Sequence, residues 1–179
     1  GANAIAQTNA SINQRFTDPA GNVILLGACA PEALLEAPFG QWFRQAYDNY
    51  PVDTATCVFV SPLLKGKKIT LFLGTWCGDS RREVPRIMKM LDCCGFPRED
   101  LKLVMLSNQP DLYKQSPQHE EAGRQIMRVP TLIIEDGREE WGRIIEFPVV
   151  SLEKDMLRIL RRDGYQPNYS NPLGSTGER

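Results

Sequence analysis

A short apolar run that leads directly into a helical pattern limits this chain to folds that combine strands and helices. Ile69–Leu73 is almost wholly apolar and rich in β-branched or aromatic residues, as a strand buried within a sheet is. The segment from about Asp79 to Asp92 then carries apolar residues at three- and four-residue steps, and Gly95 supplies a stop. That helix face consists of Val84, Ile87, Met88 and Leu91. The order predicts an α/β unit.

The pattern after residue 100 extends this unit. Leu101–Leu106 predicts the next strand, and the polar segment Gln118–Met127 predicts a weaker helix. Thr131–Glu135 and Glu140–Phe147 flank an Asp-Gly pair, which is a strong hairpin signal. Ser151 is placed to cap a final amphipathic helix. We therefore expect a central mixed β-sheet flanked by helices.

The segment before residue 67 is harder to interpret. A turn cluster at 18–22 precedes the apolar run Val23–Leu26, which predicts a short strand, and Pro31–Tyr50 has helical periodicity. Asp53 can cap a helix that runs to about Leu64, although Val58-Phe59-Val60 favours a strand. We expect four parts: a flexible segment (1–16), a mainly helical N-terminal extension (17–66), the α/β domain (67–163) and a disordered tail (164–179).

Charge and composition exclude several classes of function. Lysine and arginine number 21 against 22 acidic residues, so there is no basic field for a nucleic acid. The longest strongly apolar stretch, 23–30, is far short of the ~20 residues of a membrane helix. Five cysteines are too few and too irregular for a disulfide framework, and their spacing to His119 fits no zinc site. We expect no metal, no cofactor, no nucleic acid partner and no membrane insertion.

The first residues leave the compartment open. The sequence starts at Gly1 without methionine, and residues 2–7 are small and apolar or amide-bearing, as around signal-peptide cleavage sites. The alternative is an unstructured end left by expression. Of the two compartments, a periplasmic location is slightly favoured over the cytoplasm.

Three motifs carry a resemblance to a known family. Trp76-Cys77-Gly78 stands at the predicted helix start, Pro85 follows Cys77 by eight positions, and Val129-Pro130-Thr131 opens the hairpin. Together with the order of elements over about 67–162, these motifs resemble the thioredoxin-like superfamily. The run Cys-Gly-Asp-Ser is similar to that of a bacterial, mostly uncharacterised subgroup. The resemblance implies a thioredoxin-like fold with a functional thiol at Cys77.

Cys77 is the candidate nucleophile. A cysteine at a helix N-terminus gains from free N–H donors and from the positive end of the helix dipole, which favour the thiolate. Ser80, one turn on, can donate its hydroxyl to the sulfur, or it can cap the helix. The charge of Asp79 opposes the thiolate, and Arg81 and Arg82 can offset it.

The usual partner of such a thiol is missing from the motif. Ser80 stands where dithiol thioredoxins have a second cysteine, and Leu71 stands where they bury an acid. In an unbroken helix Cys93 lies ~24 Å from Cys77, far beyond the ~4.4–6.8 Å that a disulfide allows between Cα atoms. Sequence alone leaves Cys29 and Cys57 open as resolving thiols.

The resemblance also implies a substrate surface. A cis Pro130 would place the backbone of Val129 beside Cys77, ready to pair with an extended substrate. Trp76 would shield the thiol and offer an apolar contact, and Gly78 and Asp79 would border the same surface. The plainer interpretations are a turn proline and a tryptophan that packs on the domain.

Two functional hypotheses follow, and a third ranks last. The first is a monothiol thioredoxin-like protein: Cys77 forms mixed disulfides with protein or low-molecular-weight thiols, and an external thiol resolves them. Its activity would be that of a thiol-disulfide oxidoreductase or isomerase. The second is a redox-inactive module that holds peptides or proteins. A peroxiredoxin-type peroxidase needs a threonine where this chain has Gly74.

Overall fold

The computed structural model describes residues 12–170 and confirms an α/β fold with a mixed sheet. Its strands are β1 (Gln14–Thr17), β2 (Val23–Cys29), β3 (Lys67–Leu73), β4 (Leu101–Met105), β5 (Thr131–Asp136) and β6 (Glu139–Ile145). Its α-helices are α1 (Gly40–Asn49), α2 (Thr54–Leu63), α3 (Gly78–Cys93) and α4 (Leu152–Arg161). Short 3₁₀ turns cover Pro31–Leu35, Arg98–Asp100 and Pro110–Leu112.

The sheet has the strand order β1-β2-β4-β3-β5-β6. Strands β3 and β4 are parallel, and every other neighbouring pair is antiparallel. Leu71 of β3 pairs with Leu103 on one side and with Leu132 on the other. Because β3 is paired on both edges and covered on both faces, its side chains have to be apolar almost throughout.

The four α-helices contribute to the core on one face of the sheet, where Leu71 and Leu73 lie with Phe43 of α1 and Met156 of α4. The opposite face carries a smaller cluster around Phe72. Its other members are Val104, Leu106, Val129 and Ile133, with Trp76, Cys77 and Ile126 packed against them. Cys77 therefore lies at the rim of this second cluster.

The segment between β4 and β5 corrects one prediction. Residues 118–127 form a series of turns, not the expected helix. His119, Gly123 and Gln125 have φ values of +55°, +73° and +54°, which interrupt any right-handed helix. Hydrogen bonds such as that from Ala122 N to His119 O close single turns. An irregular loop, instead of a helix, thus leads to Val129.

The N-terminal segment is part of the same sheet. The strand predicted at Val23–Leu26 is present and extends to Cys29, pairing antiparallel with β4. The prediction of a mainly helical extension over 17–66 therefore accounts for α1 and α2 but leaves out β2. Asp53 caps α2 by accepting the N–H of Thr56 at 3.1 Å. Of the segment predicted to be flexible, Gln14–Phe16 lie in β1, and residues 1–11 fall outside the described chain.

The final helix begins at the predicted cap. The hydroxyl of Ser151 accepts the N–H of Lys154 at 3.1 Å. Residues 164–170, predicted to be disordered, make specific contacts: Tyr165 donates to Asp155 at 2.6 Å and the amide of Asn168 donates to the Phe147 carbonyl at 2.9 Å. The rest of the predicted tail, 171–179, lies outside the described residues. Within 12–170, no helix combines the length and apolar character that crossing a membrane requires.

Candidate functional site

Cys77 occupies the position between β3 and α3. It is the N-cap of α3, with extended backbone angles, and its carbonyl accepts the N–H of Arg81 at 2.9 Å. The N–H of Cys77 donates to the Gly74 carbonyl at 3.0 Å, which closes the turn after β3. The side chain is partly exposed. Strand, turn and helix therefore present this thiol at the positive end of a sixteen-residue helix.

The thiol points at the loop that precedes β5. The sulfur of Cys77 lies 3.6 Å from the carbonyl oxygen of Val129, to which it donates. The Val129-Pro130 peptide is cis, in agreement with the expectation for Pro130. Val129 is buried, and among the described residues its N–H has no hydrogen-bond acceptor. Val129 therefore has a carbonyl that contacts the thiol and an N–H that is unpaired among the described residues.

Trp76 is fixed beneath the turn. Its indole N–H donates to the Leu106 carbonyl at 2.9 Å, and its ring lies 5.8 Å from that of Tyr113, centroid to centroid. A Cβ on Gly74 would lie 2.5 Å from the indole ring, so only glycine fits there. The sequence does not point to Tyr113, because this residue lies in an irregular loop with no periodic pattern. Trp76 is thus held in place by packing and remains partly exposed beside Cys77.

Ser80 has a structural partner. It is fully buried, and its hydroxyl accepts the backbone N–H of Gly74 at 3.2 Å. Within residues 12–170 no hydrogen bond joins Ser80 to Cys77, and Ser80 does not cap α3, whose N-cap is Cys77. The predicted bond from Ser80 to the sulfur is therefore replaced by one to the turn.

The charged residues of the motif pair with one another. Arg82 donates to the Asp79 carboxylate at 2.8 Å and to Glu83 at 3.0 Å. Arg81 instead donates to the Thr75 carbonyl at 2.7 Å. The negative charge of Asp79 is thus met by Arg82, as anticipated. Gly78, between Cys77 and Asp79, has open space where a side chain would be.

The other thiols lie away from Cys77. Burial raises the pKa of Cys29 to about 11, and burial also raises the pKa of Cys57 and of Cys94. Cys57 lies close to Cys94, which follows the last residue of α3, and this neighbour adds to the raised pKa of the Cys57 thiol. Because α3 is unbroken, this end of the helix is ~24 Å from Cys77.

Cys29 is separated from Cys77 by the sheet. It lies on β2 opposite Leu103 and belongs to the core on the helical face of the sheet, whereas Cys77 borders the cluster on the other face. Along β2 it is four residues, or ~13 Å, from Leu25, whose N–H donates to Thr75 in the turn before Cys77 at 3.2 Å. A disulfide needs Cα atoms ~4.4–6.8 Å apart. The positions of Cys29 and Cys57 therefore exclude both as resolving partners in this conformation. No group of three or more metal-ligating side chains is present in the described part of the chain.

Comparisons with known proteins found a likeness in structure. No family model matches the sequence, and no curated protein is significantly similar to it. Among solved structures, a protein of unknown function from Pseudomonas aeruginosa superposes with a TM-score of 0.46 at 15% identity. The match covers 66% of this chain and 80% of that one. Function is therefore inferred from the geometry of the site itself.

Proposed function

We propose that this protein has a thioredoxin-like fold and works as a monothiol thiol-disulfide exchange protein, with Cys77 as its nucleophile. The observation that carries the proposal is the placement of the Cys77 thiol, at the N-cap of α3 and 3.6 Å from the carbonyl that precedes cis Pro130. The fold assignment is supported by the order β3-α3-β4-β5-β6-α4 and by the arrangement β4-β3-β5-β6 in the sheet. The loop at 118–127 departs from the family pattern.

The exchange step requires only sulfur chemistry. The Cys77 thiolate attacks one sulfur of a disulfide R–S–S–R, which forms a Cys77–S–S–R bond and breaks the original S–S bond, releasing R–S⁻. A second thiolate then attacks the adduct and returns Cys77 to its reduced form. The described residues offer no internal thiol within reach of the adduct. The resolving thiol is therefore external.

Four features around the thiol suit substrate binding. The free N–H of Val129 can donate to a carbonyl of an extended segment, and the open space at Gly78 leaves room for it. The partly exposed ring of Trp76 offers an apolar contact. Asp79 adds an acidic border. Ser80 supports the site indirectly, since it anchors the turn through Gly74.

The alternative is a redox-inactive binding module. It is favoured by Ser80, whose hydroxyl is engaged with Gly74, and by Leu71, which is fully buried in the core where an acid would assist exchange. Such a module would use the same groove beside Val129 without covalent chemistry. The two functions differ in whether Cys77 forms and releases adducts.

Adduct formation and release test the proposal directly. Reduced protein is mixed with glutathione disulfide, and intact mass is followed over time for the wild type, Cys77→Ser and Cys93→Ser. Because Cys93 is also exposed, its variant isolates the adduct at Cys77. We expect one rapid adduct in Cys93→Ser that free glutathione removes, and deglutathionylation of a model peptide that Cys77→Ser lacks. An adduct at Cys77 that forms no faster than that at Cys93, with no turnover, would favour the binding module.

A further inference from the structure

A second group of thiols lies at the end of α3 that is remote from Cys77. Cys94 directly follows the last residue of this helix, and Cys57 lies on α2, which contacts α3. Both residues are 6% exposed, and both belong to the core on the helical face of the sheet. Neither thiol takes part in the exchange proposed for Cys77. Two nucleophilic groups are therefore buried together outside the candidate site.

A hydrogen bond holds the backbone of residue 94 against α2. The hydroxyl of Ser61 donates to the Cys94 carbonyl at 2.7 Å. Ser61 follows Cys57 by four residues, and helical residues with this spacing share one face, with Cβ atoms about 5–6 Å apart. The face of α2 that carries Cys57 therefore lies against Cys94.

The two thiols are close enough to influence each other's ionisation. Burial raises the pKa of Cys57, and the neighbouring Cys94 raises it further. Burial also raises the pKa of Cys94, but there the neighbouring Cys57 opposes the shift. Cys94 is therefore the thiol of this pair that loses its proton more readily.

A cavity of about 350 Å³ opens beside Cys94. It lies between the C-terminal end of α2 and the turn after α3, and its lining includes Ser61, Leu64, Gly95 and Phe96. Cys57 is not part of this lining. A small disulfide in the cavity can therefore contact Cys94, and Cys57 is left as the second thiol.

We propose that Cys57 and Cys94 are a redox-active pair, which a low-molecular-weight disulfide oxidises to an intramolecular disulfide. The Cys94 thiolate attacks one sulfur of R–S–S–R, which forms a Cys94–S–S–R bond, breaks the original S–S bond and releases R–S⁻. The Cys57 thiolate then attacks the Cys94 sulfur and releases a second R–S⁻. The two protons lost by the cysteines pass to the released thiolates. The pair thus loses two electrons, and the external disulfide is reduced to two thiols.

The bridge acts on stability and not on the reaction of Cys77. It closes a loop from residue 57 to residue 94, which contains β3, Cys77 and the whole of α3. A cross-link of this kind restricts the unfolded chain. The oxidised protein is therefore expected to unfold at a higher urea concentration than the reduced protein. The inference does not depend on exchange at Cys77, because an external disulfide supplies the oxidant.

Tryptic mapping without reduction tests the pairing. Folded Cys77→Ser protein, whose candidate site cannot react, is incubated with excess glutathione disulfide, and the remaining thiols are alkylated in urea before digestion. We expect a disulfide-linked pair of peptides, 45–65 and 90–98, which dithiothreitol separates. Adding Cys93→Ser should leave this product unchanged. Adding Cys94→Ala instead, with the adjacent Cys93 retained, should abolish it.

Two controls separate specific pairing from general oxidation. When oxidation is carried out in urea, Cys29, Cys57 and Cys94 are all accessible, so the preference for the Cys57–Cys94 bridge should be lost. In folded Cys77→Ser/Cys93→Ser protein, oxidation should raise the midpoint of urea unfolding, and Cys57→Ala should abolish this rise.

Three outcomes would overturn the inference. They are a pair that stays reduced in the folded protein, a glutathione adduct on Cys94 that never joins Cys57, and an equal preference for this bridge in urea. Each would leave the two cysteines as small apolar residues of the core. None of them would bear on exchange at Cys77, because the test is carried out without that thiol.

Discussion

The environment of Gly74 shows how tightly single residues constrain the site. A Cβ at this position would lie 2.5 Å from Cε2 and Nε1 of Trp76, closer than side-chain contacts allow. The same indole is held by the Leu106 carbonyl, and the N–H of Gly74 is bound by Ser80. The turn that carries Cys77 is thus packed against Trp76 and leaves no space for a side chain at Gly74.

Gly74→Ala is therefore expected to be destabilising. The added methyl group must displace the Trp76 ring or the backbone, and overpacking of this kind costs about 1–3 kcal/mol. The loss is measured as the free energy of unfolding in urea. Gly78→Ala is the control, because nothing lies within 4 Å of a Cβ there, and it should leave stability unchanged or slightly raised. Equal stability of the two variants would contradict this packing.

Some residues of the site can be predicted from local patterns, and others cannot. Cys77, Val129 and Pro130 stand in short motifs that resemble those of a known family, and that resemblance implied their part in the site. Tyr113 comes from a distant segment that approaches Trp76 only after folding. Ser80 shows a different limit: its spacing suits a bond to sulfur, but the N–H of Gly74 is the partner that the turn provides.

At the level of elements, a buried carboxylate on α4 binds the chain segments that precede and follow the helix. Asp155 is fully buried and accepts the N–H groups of Val149 at 2.6 Å and Val150 at 3.0 Å. Tyr165, beyond the end of the helix, donates its hydroxyl to the same carboxylate at 2.6 Å. One side chain thus connects the loop before α4 with the segment after it.

Substituting Tyr165 and substituting Asp155 should lower the free energy of unfolding by different amounts. Tyr165→Phe deletes one hydrogen bond to a charged acceptor and should cost about 1–2 kcal/mol, with faster proteolysis after residue 164. Asp155→Ala leaves several donors unpaired inside the protein and should cost about 3 kcal/mol or more. Asp163→Ala, in an exposed pair with Arg158, is the control with little expected change. Urea unfolding and limited proteolysis measure these effects, and a Tyr165→Phe variant as resistant as the wild type would argue against the contact.

Elements were predictable where one physical signal dominated. The continuous apolar run of β3 predicts a buried strand, and Ser151 predicts a helix N-cap. The structure contains both. The segment 118–127 has weak periodicity, and left-handed residues at His119 and Gln125 decide its path. Similarly, nothing local to Val23–Cys29 indicates that β2 joins β4, since that pairing depends on segments some 75 residues apart.

For the whole molecule, buried thiols and phenols predict sensitivity to alkali. Burial raises the pKa of Cys29 from 9.0 to about 11, and burial with a hydrogen bond to Asp92 raises that of Tyr47 from 10.0 to about 12. Burial likewise raises the pKa of Tyr50 and Tyr165. Below their ordinary values these groups are protonated in both states, and above them only the unfolded chain loses protons. The stability that these groups contribute is therefore present below pH ~9 and is lost as the pH rises towards their raised pKa values.

Urea unfolding at pH ~8, ~9.5 and ~10.5 checks this expectation. The free energy of unfolding should fall at each step, and Cys29→Ala should fall less steeply than the wild type between the first two, since its thiol no longer contributes. Constant stability across the series would show that these groups titrate alike in the folded and unfolded chain.

The unbroken length of α3 also offers a way to attach the protein to a surface in one orientation. Its two accessible cysteines, Cys77 and Cys93, lie at opposite ends of one rigid rod, ~24 Å apart. With Cys77 first protected as a mixed disulfide, tethering the protein to a surface through Cys93 would turn the Cys77 end towards the solution. A chip or bead prepared in this way would present every copy with its candidate site outward.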